Sequence, residues 1–186
     1  MSSLVLLSIV IVLAGCSIEH NGNLYKAFGK GNSHYIHFNY DSSKNPFSSD
    51  YKEPYIMELC NNDMDTLIRK NDKVFIYVWS LSCSANDSAV YYAERFKTEH
   101  PIYKFVLLLD AYLYNRAYGF MNKYQFRDKA FILANACYGH NTVDAIRQLN
   151  EHFGISHGLN KSFCFVNGKL KAYGMKPKDW QQMVNN

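Results

Sequence analysis

The sequence has no C-x-x-C pair, no run of basic residues and no apolar run long enough to span a membrane. Its five cysteines lack the spacings of zinc sites, so we expect no metal and no other cofactor. The formal net charge of +4 is spread without an arginine-rich patch, and nucleic acid is therefore not an expected partner. What remains is a mildly basic chain of 186 residues, enough for one domain with a sizeable core.

The N-terminal segment is apolar over residues 4–14 and ends in Leu-Ala-Gly before Cys16. It has about the length of a signal peptide and is too short for a membrane span of ~20 residues. The segment resembles the bacterial lipobox, in which cleavage precedes a cysteine that then receives lipid. The resemblance implies a lipoprotein signal peptide at 1–15, a lipid anchor on Cys16, and a place in the bacterial cell envelope facing the periplasm or the exterior. A plain signal peptide or a buried N-terminal helix is the alternative.

The remaining chain divides into a polar, glycine-containing tether at 16–33 and one domain at 34–186. Apolar runs at 74–79 and 103–109, separated by an amphipathic segment, favour parallel strands buried on both faces. Asn167-Gly168 between two later runs indicates a hairpin. The order strand, helix, strand, helix, strand, helix, hairpin, helix predicts an α/β fold with a mixed sheet.

Cys83 follows the first of these runs, in a polar loop that leads into a predicted helix. A thiol near a helix N-terminus has a lowered pKa, because free N–H groups and the helix dipole favour the thiolate. No lysine or arginine occurs between Ser80 and Tyr92. We therefore expect a moderate lowering of the thiol pKa, on the order of one unit.

The segment around Cys83 resembles the active-site segment of the thioredoxin superfamily, roughly F-W-A-x-W-C-x-x-C. Trp79 matches the first tryptophan and Cys83 the first, attacking cysteine. Ser82 stands in the place of the second tryptophan, and Asn86 in the place of the second, resolving cysteine. The motif is therefore degenerate at the residue that completes dithiol chemistry.

This resemblance implies a thioredoxin-like three-layer sandwich with an extra strand–helix insertion, like the exported, membrane-tethered thioredoxin-like proteins of bacteria. It also implies thiol–disulfide redox, or a monothiol role, through Cys83 on a protein thiol or disulfide substrate. The family's cis-proline before the hairpin has no counterpart here, since its place falls near Asn160 or Lys161. The alternative is a non-catalytic binding or assembly module that keeps the fold.

The other cysteines are candidates for supporting roles. If Cys16 carries lipid, four cysteines remain, and they allow three complete pairings. Cys60 and Cys137 are the candidate resolving or disulfide partners. Cys164 alternates with two phenylalanines in a predicted strand, so we expect it to be buried and inert. Cys137 and His140 form a C-x-x-H pair, which without a second nearby cysteine predicts no metal site.

Two further residues stand at strand ends. Trp79 ends a buried run, and we expect a core residue rather than a substrate contact. Asp110 ends the run at 103–109, on the edge where α/β proteins place functional groups, and it is equally well a helix cap.

The lipid anchor gives the first testable prediction. Replacing Cys16 with alanine removes the predicted acceptor of the lipid, so the domain should leave the membrane fraction. Fractionation of cells that produce the variant measures this. A variant that stays fully membrane-bound would contradict the anchor.

Overall fold

The computed structural model describes residues 37–38, 56–81, 89–110, 114–126, 128–174 and 179–185. In these ranges, seven strands form one sheet: β1 (His37–Phe38), β2 (Ile56–Leu59), β3 (Lys73–Trp79), β4 (Lys104–Leu109), β5 (Ala130–Leu133), β6 (Ser162–Val166) and β7 (Lys169–Gly174). The same ranges contain six helices: α1 (Asn61–Lys70), α2 (Ala89–Glu99), α3 (Tyr114–Lys123), α4 (Asn135–Tyr138), α5 (Thr142–His152) and α6 (Trp180–Asn185).

The strand order across the sheet is β1-β2-β5-β4-β3-β6-β7. The neighbouring pairs β1–β2, β2–β5, β5–β4 and β4–β3 are all parallel. Strand β6 is antiparallel to β3, and β7 is antiparallel to β6. The predicted mixed sheet, parallel first and antiparallel at the final hairpin, is confirmed. Strand β3 lies between β4 and β6, so its backbone is paired on both sides.

Helices cover both faces of the sheet because the strand side chains alternate. Strand β3 presents aromatic residues to one face and aliphatic residues to the other: Phe75, Tyr77 and Trp79, against Val74, Ile76 and Val78. Helices α2, α3 and α6 pack on the aromatic face, and α1, α4 and α5 on the aliphatic face. The result is the predicted three-layer sandwich.

Local signals in the sequence account for several element boundaries. Asn141 caps α5 by accepting hydrogen bonds from the N–H groups of Val143 and Asp144. Asn167 and Gly168 both have positive φ, 51° and 76°, as the tight turn between β6 and β7 requires. The predicted hairpin is therefore confirmed.

The extra strand–helix insertion consists of β5, α4 and α5, placed between β4 and β6 in sequence. Helix α4 was not predicted, because four residues are too few to show a helical period. Residues 82–88 and 111–113, which precede α2 and α3, lie outside the described ranges. Within the described part of the chain, no helix is long and apolar enough to cross a membrane.

Trp180 packs the last helix, α6, against the aromatic face of the sheet. Its ring centroid lies 5.2 Å from that of Phe75 and 4.7 Å from that of Tyr77. Its indole Nε1–H donates a hydrogen bond of 2.8 Å to the hydroxyl of Ser162 on β6. The indole therefore joins α6 to two strands by both packing and hydrogen bonding.

Substitution of Trp180 tests this contact. Trp180→Ala should lower the free energy of unfolding by about 3–5 kcal/mol, because it leaves a large cavity between α6 and the sheet. Trp180→Phe keeps much of the packing but leaves the Ser162 hydroxyl unpaired, which should cost about 1–3 kcal/mol. Denaturant unfolding measures both, with the exposed neighbour Gln182→Ala as control. A Trp180→Ala protein as stable as the control would contradict this packing.

Candidate functional site

Polar side chains that follow the buried strands lie at one edge of the sheet, the one formed by the carboxyl ends of the parallel strands. The parallel strands end there, so Cys60 follows β2, Ser80 follows β3, and Asp110 follows β4. Since β6 is antiparallel, its amino end reaches the same edge and brings Lys161. In α/β folds this edge, outside the carboxyl ends of the strands, is where ligands bind.

Asp110 is a buried carboxylate at this edge. Its side chain has no solvent exposure, and Oδ1 accepts a hydrogen bond of 2.9 Å from the backbone N–H of Leu81. The backbone N–H of Asp110 in turn donates to the carbonyl oxygen of Trp79. Asp110 thus binds the backbone of Leu81, two residues after the end of β3. Its second oxygen, Oδ2, accepts no hydrogen bond from any residue that the structure describes.

Lys161 brings a positive charge to the same place. Its Nζ donates a hydrogen bond to the hydroxyl of Ser80 and lies 3.9 Å from Oδ2 of Asp110. The lysine side chain is 18% exposed, so the ammonium keeps some contact with water while the carboxylate has none. Burial, and secondly the negative charge of Asp110, raises the pKa of the nearby Tyr77 hydroxyl far above its usual value, so Tyr77 stays neutral.

The backbone that carries Lys161 is held from both sides. Its N–H donates to the carbonyl of Gly174, and its carbonyl accepts from the N–H of Val78. The preceding residue, Asn160, is bound through its backbone N–H and C=O by the buried side chain of Asn150 on α5. Both N–H donors at 160–161 are therefore occupied within the domain. The described residues contain no cis peptide bond, in accord with the missing proline.

Cys60 and Cys137 form a disulfide with a Cα–Cα distance of 5.8 Å. The bond joins the N-cap of α1 to the short helix α4, and so ties the ends of β2 and β5 together. Of the pairings that the sequence left open, the structure contains this one. Neither sulfur is then a free thiol that could resolve a bond at another cysteine.

Cys164 is the third cysteine in the described ranges. It is 1% exposed and pairs across the sheet with Phe75, near the amino end of β3. Trp79 lies four residues further along β3, about 13 Å at the rise of a strand. Burial raises the pKa of the Cys164 thiol, although the hydroxyl of Tyr103 and the charge of Lys73 oppose the shift. Cys164 is therefore a buried thiol away from the edge that holds Lys161.

The other residues singled out in the sequence have varied positions. Trp79 is 1% exposed and packs in the core, as expected of a residue that ends a buried strand. Cys16, Ser82, Cys83 and Asn86 lie outside the described residues. No group of three His, Cys, Asp or Glu side chains suited to a metal ion occurs in the part of the chain that the structure describes.

The assembly of Ser80, Asp110 and Lys161 was missed in the sequence. The sequence indicates Asp110 as a residue at a strand end, and Lys161 only as a residue near the place of the family's proline. Nothing local links Lys161 to Ser80, since 81 residues separate them and only the antiparallel pairing of β6 with β3 brings them together. No lysine or arginine occurs between Ser80 and Tyr92, but the fold brings the ammonium of Lys161 to the hydroxyl of Ser80.

No protein-family model matches the chain, and neither does any curated protein. Among solved structures, it is similar to a putative thiol:disulfide interchange protein DsbE from Chlorobium tepidum, with 16% identity and a TM-score of 0.44. That match covers 64% of this chain and 82% of the other. MTB dsbF, in mixed oxidized and reduced forms, is similar with 14% identity and a TM-score of 0.42, over 62% of this chain and 80% of the other.

The order of the strands defines the class of fold. A central strand lies between a parallel neighbour and an antiparallel hairpin, and a strand–helix unit is inserted before the hairpin. This is a thioredoxin-like α/β sandwich with the insertion that the sequence predicted.

The disulfide generates its own prediction. Replacing both Cys60 and Cys137 with serine should lower the free energy of unfolding by about 2–4 kcal/mol, because the bond restrains the unfolded chain. Added reductant should destabilise the wild-type protein to the same extent and leave the double variant unchanged. Peptide mapping without reductant that recovers both cysteines as free thiols would contradict the pairing.

Proposed function

We propose that the protein is a lipid-anchored, thioredoxin-fold lipoprotein of the bacterial cell envelope that forms mixed disulfides through Cys83. The observation that carries the proposal is the place of Cys83 in the chain. In the chain it falls in the connection from the central strand β3 to α2, two residues after Leu81. In this class of fold, that connection is where the resemblance places the attacking cysteine.

The proposed reaction is a single thiol–disulfide exchange. The Cys83 thiolate attacks one sulfur of a disulfide on a protein substrate, a new S–S bond forms, and the second substrate sulfur leaves as a thiolate. An external thiol then attacks the mixed disulfide and releases Cys83. An internal cysteine is not proposed for this step, because Cys60 and Cys137 are bonded to each other and Cys164 is buried elsewhere.

The proposed location agrees with the disulfide between Cys60 and Cys137. Such bonds persist in oxidising compartments outside the bacterial cytoplasm. In this proposal residues 1–15 are removed as a signal peptide, Cys16 carries the lipid, and 16–33 tether the domain at 34–186 to the membrane.

A second candidate function is a binding or assembly module without catalysis. The observation in its favour is the exposure of Tyr91 and Tyr92 on α2, at 52% and 40%. Tyrosine is enriched in protein interfaces, since its ring combines apolar area with a hydroxyl. This function becomes the leading one if Cys83 has no enhanced reactivity.

Cys83 should react as an activated single thiol. In a full-length chain with Cys16→Ser and Cys164→Ala and the disulfide intact, the neutral probe dithiodipyridine should react at pH 7 about two- to threefold faster than with an unstructured peptide thiol. Glutathione disulfide should leave one glutathione on Cys83, whereas insulin reduction should be poor. Rates equal to those of the peptide would end the redox proposal.

Two variants serve as controls for this measurement. Cys83→Ser should abolish both the probe reaction and glutathione capture. Asn86→Cys creates a C-x-x-C pair and should raise insulin reduction well above that of the wild-type chain, because a second thiol can then release the substrate. If Asn86→Cys gives no gain although Cys83 reacts, the segment lacks the predicted thioredoxin geometry.

A further inference from the structure

The disulfide between Cys60 and Cys137 is more accessible at one of its two ends. Cys60 is 5% exposed, at the N-cap of α1, whereas Cys137 is an exposed residue of the short helix α4. The rate of thiol–disulfide exchange depends on which sulfur is attacked and on how freely the attacking thiolate reaches it. A thiolate from outside the domain can therefore approach Cys137 more readily than Cys60.

The surface around Cys137 leaves room for a large attacking group. Ala136 precedes it with only a methyl group, and Gly139 follows two residues later with no side chain; both are exposed. A Cβ added at Gly139 would meet no atom of the described residues within 4 Å. Tyr138, the bulky residue of this turn, is 2% exposed and packs in the core. A thiol on a peptide or a protein can therefore approach here as well as a small thiol.

Non-covalent contacts hold the two cysteines near each other independently of the disulfide. The backbone N–H of Ala134, just after β5, donates a hydrogen bond of 2.9 Å to the carbonyl oxygen of Leu59 at the end of β2. The hydroxyl of Tyr138 on α4 donates a hydrogen bond to the side-chain oxygen of Asn61, the first residue of α1. These bonds join the same two parts of the chain as the disulfide. The two sulfurs should therefore stay close when the bond is broken, as reversible exchange requires.

The start of α1 acts on Cys60 in two opposite ways. As the N-cap, Cys60 lies at the positive end of the helix dipole, which favours a thiolate. Asp63, in the first turn, accepts a hydrogen bond of 2.9 Å from the backbone N–H of Cys60, and its negative charge disfavours the thiolate. Because these two effects oppose each other, access rather than thiolate stability decides which sulfur is attacked.

We propose that the Cys60–Cys137 disulfide is a second redox site, which exchanges with a peptide or protein dithiol while the domain stays folded. One thiolate of the substrate attacks the sulfur of Cys137, a mixed disulfide forms, and Cys60 leaves as a thiolate. The second substrate thiolate then attacks the substrate sulfur of the mixed disulfide, which closes the substrate's own disulfide and releases Cys137 as a thiolate. In total, two electrons and two protons pass from the substrate dithiol to the two cysteines.

The test uses dithiothreitol, a small dithiol, on the full-length chain with Cys16→Ser, Cys83→Ser and Cys164→Ala, in which Cys60 and Cys137 are the remaining cysteines. Alkylation and mass spectrometry follow the reduction. Its rate should rise in proportion to the dithiothreitol concentration and change less than about twofold in about 1 M urea, because the exchange occurs in the folded state. A reduction that requires global unfolding would accelerate about fivefold or more in this urea concentration. Such an acceleration, or a rate independent of dithiothreitol, would overturn the proposal.

Two single-cysteine variants of this chain test which sulfur is attacked. With Cys60→Ser, the thiol of Cys137 should react with dithiodipyridine about as fast as an unstructured peptide thiol, whereas with Cys137→Ser the thiol of Cys60 should react at least about tenfold more slowly. In denaturant the two rates should become equal, which controls for intrinsic reactivity. Equal rates under native conditions, or a faster Cys60, would overturn the assignment of Cys137 as the attacked sulfur. Because Cys83 is replaced throughout, failure here is distinguishable from failure of the proposed function.

Discussion

The position of β3 in the sheet is the constraint on which the rest of the structure depends. This strand is hydrogen-bonded to β4 on one side and to β6 on the other, and helices cover both of its faces. Its interior can therefore hold only side chains that pack, and the buried hydroxyl of Tyr77 is kept neutral. Among the described residues, polar groups instead meet where the strand ends, at Ser80, Leu81, Asp110 and the amino end of β6.

Local sequence signals predicted the elements of this fold well. The apolar run of β3 and the Asn167-Gly168 turn each depend on residues a few positions apart. The polar cluster and the Cys60–Cys137 pairing depend on contacts across 81 and 77 residues. Composition and spacing do not determine such contacts, because the order of the strands in the sheet brings these residues together.

The site differs from the thioredoxin pattern in a consistent way. In the proposed correspondence, Asn86 stands in the place of the resolving cysteine, and Asn160 and Lys161 stand near the place of the cis-proline. The backbone N–H groups of Asn160 and Lys161 both donate hydrogen bonds inside the domain. These two N–H donors are therefore not free to pair with a further strand. The segment before β6 also places the charge of Lys161 beside Ser80 and Asp110.

A single measurement tests the central claim most directly. Cells that produce the full-length chain are quenched in acid, free thiols are alkylated, and the peptide containing Cys83 is examined by mass spectrometry without reduction. The account predicts that a fraction of Cys83 is joined by a disulfide to another protein or a small thiol, and that reductant releases it. Cys83 recovered only as the alkylated free thiol, while Cys60 and Cys137 remain bonded, would contradict it.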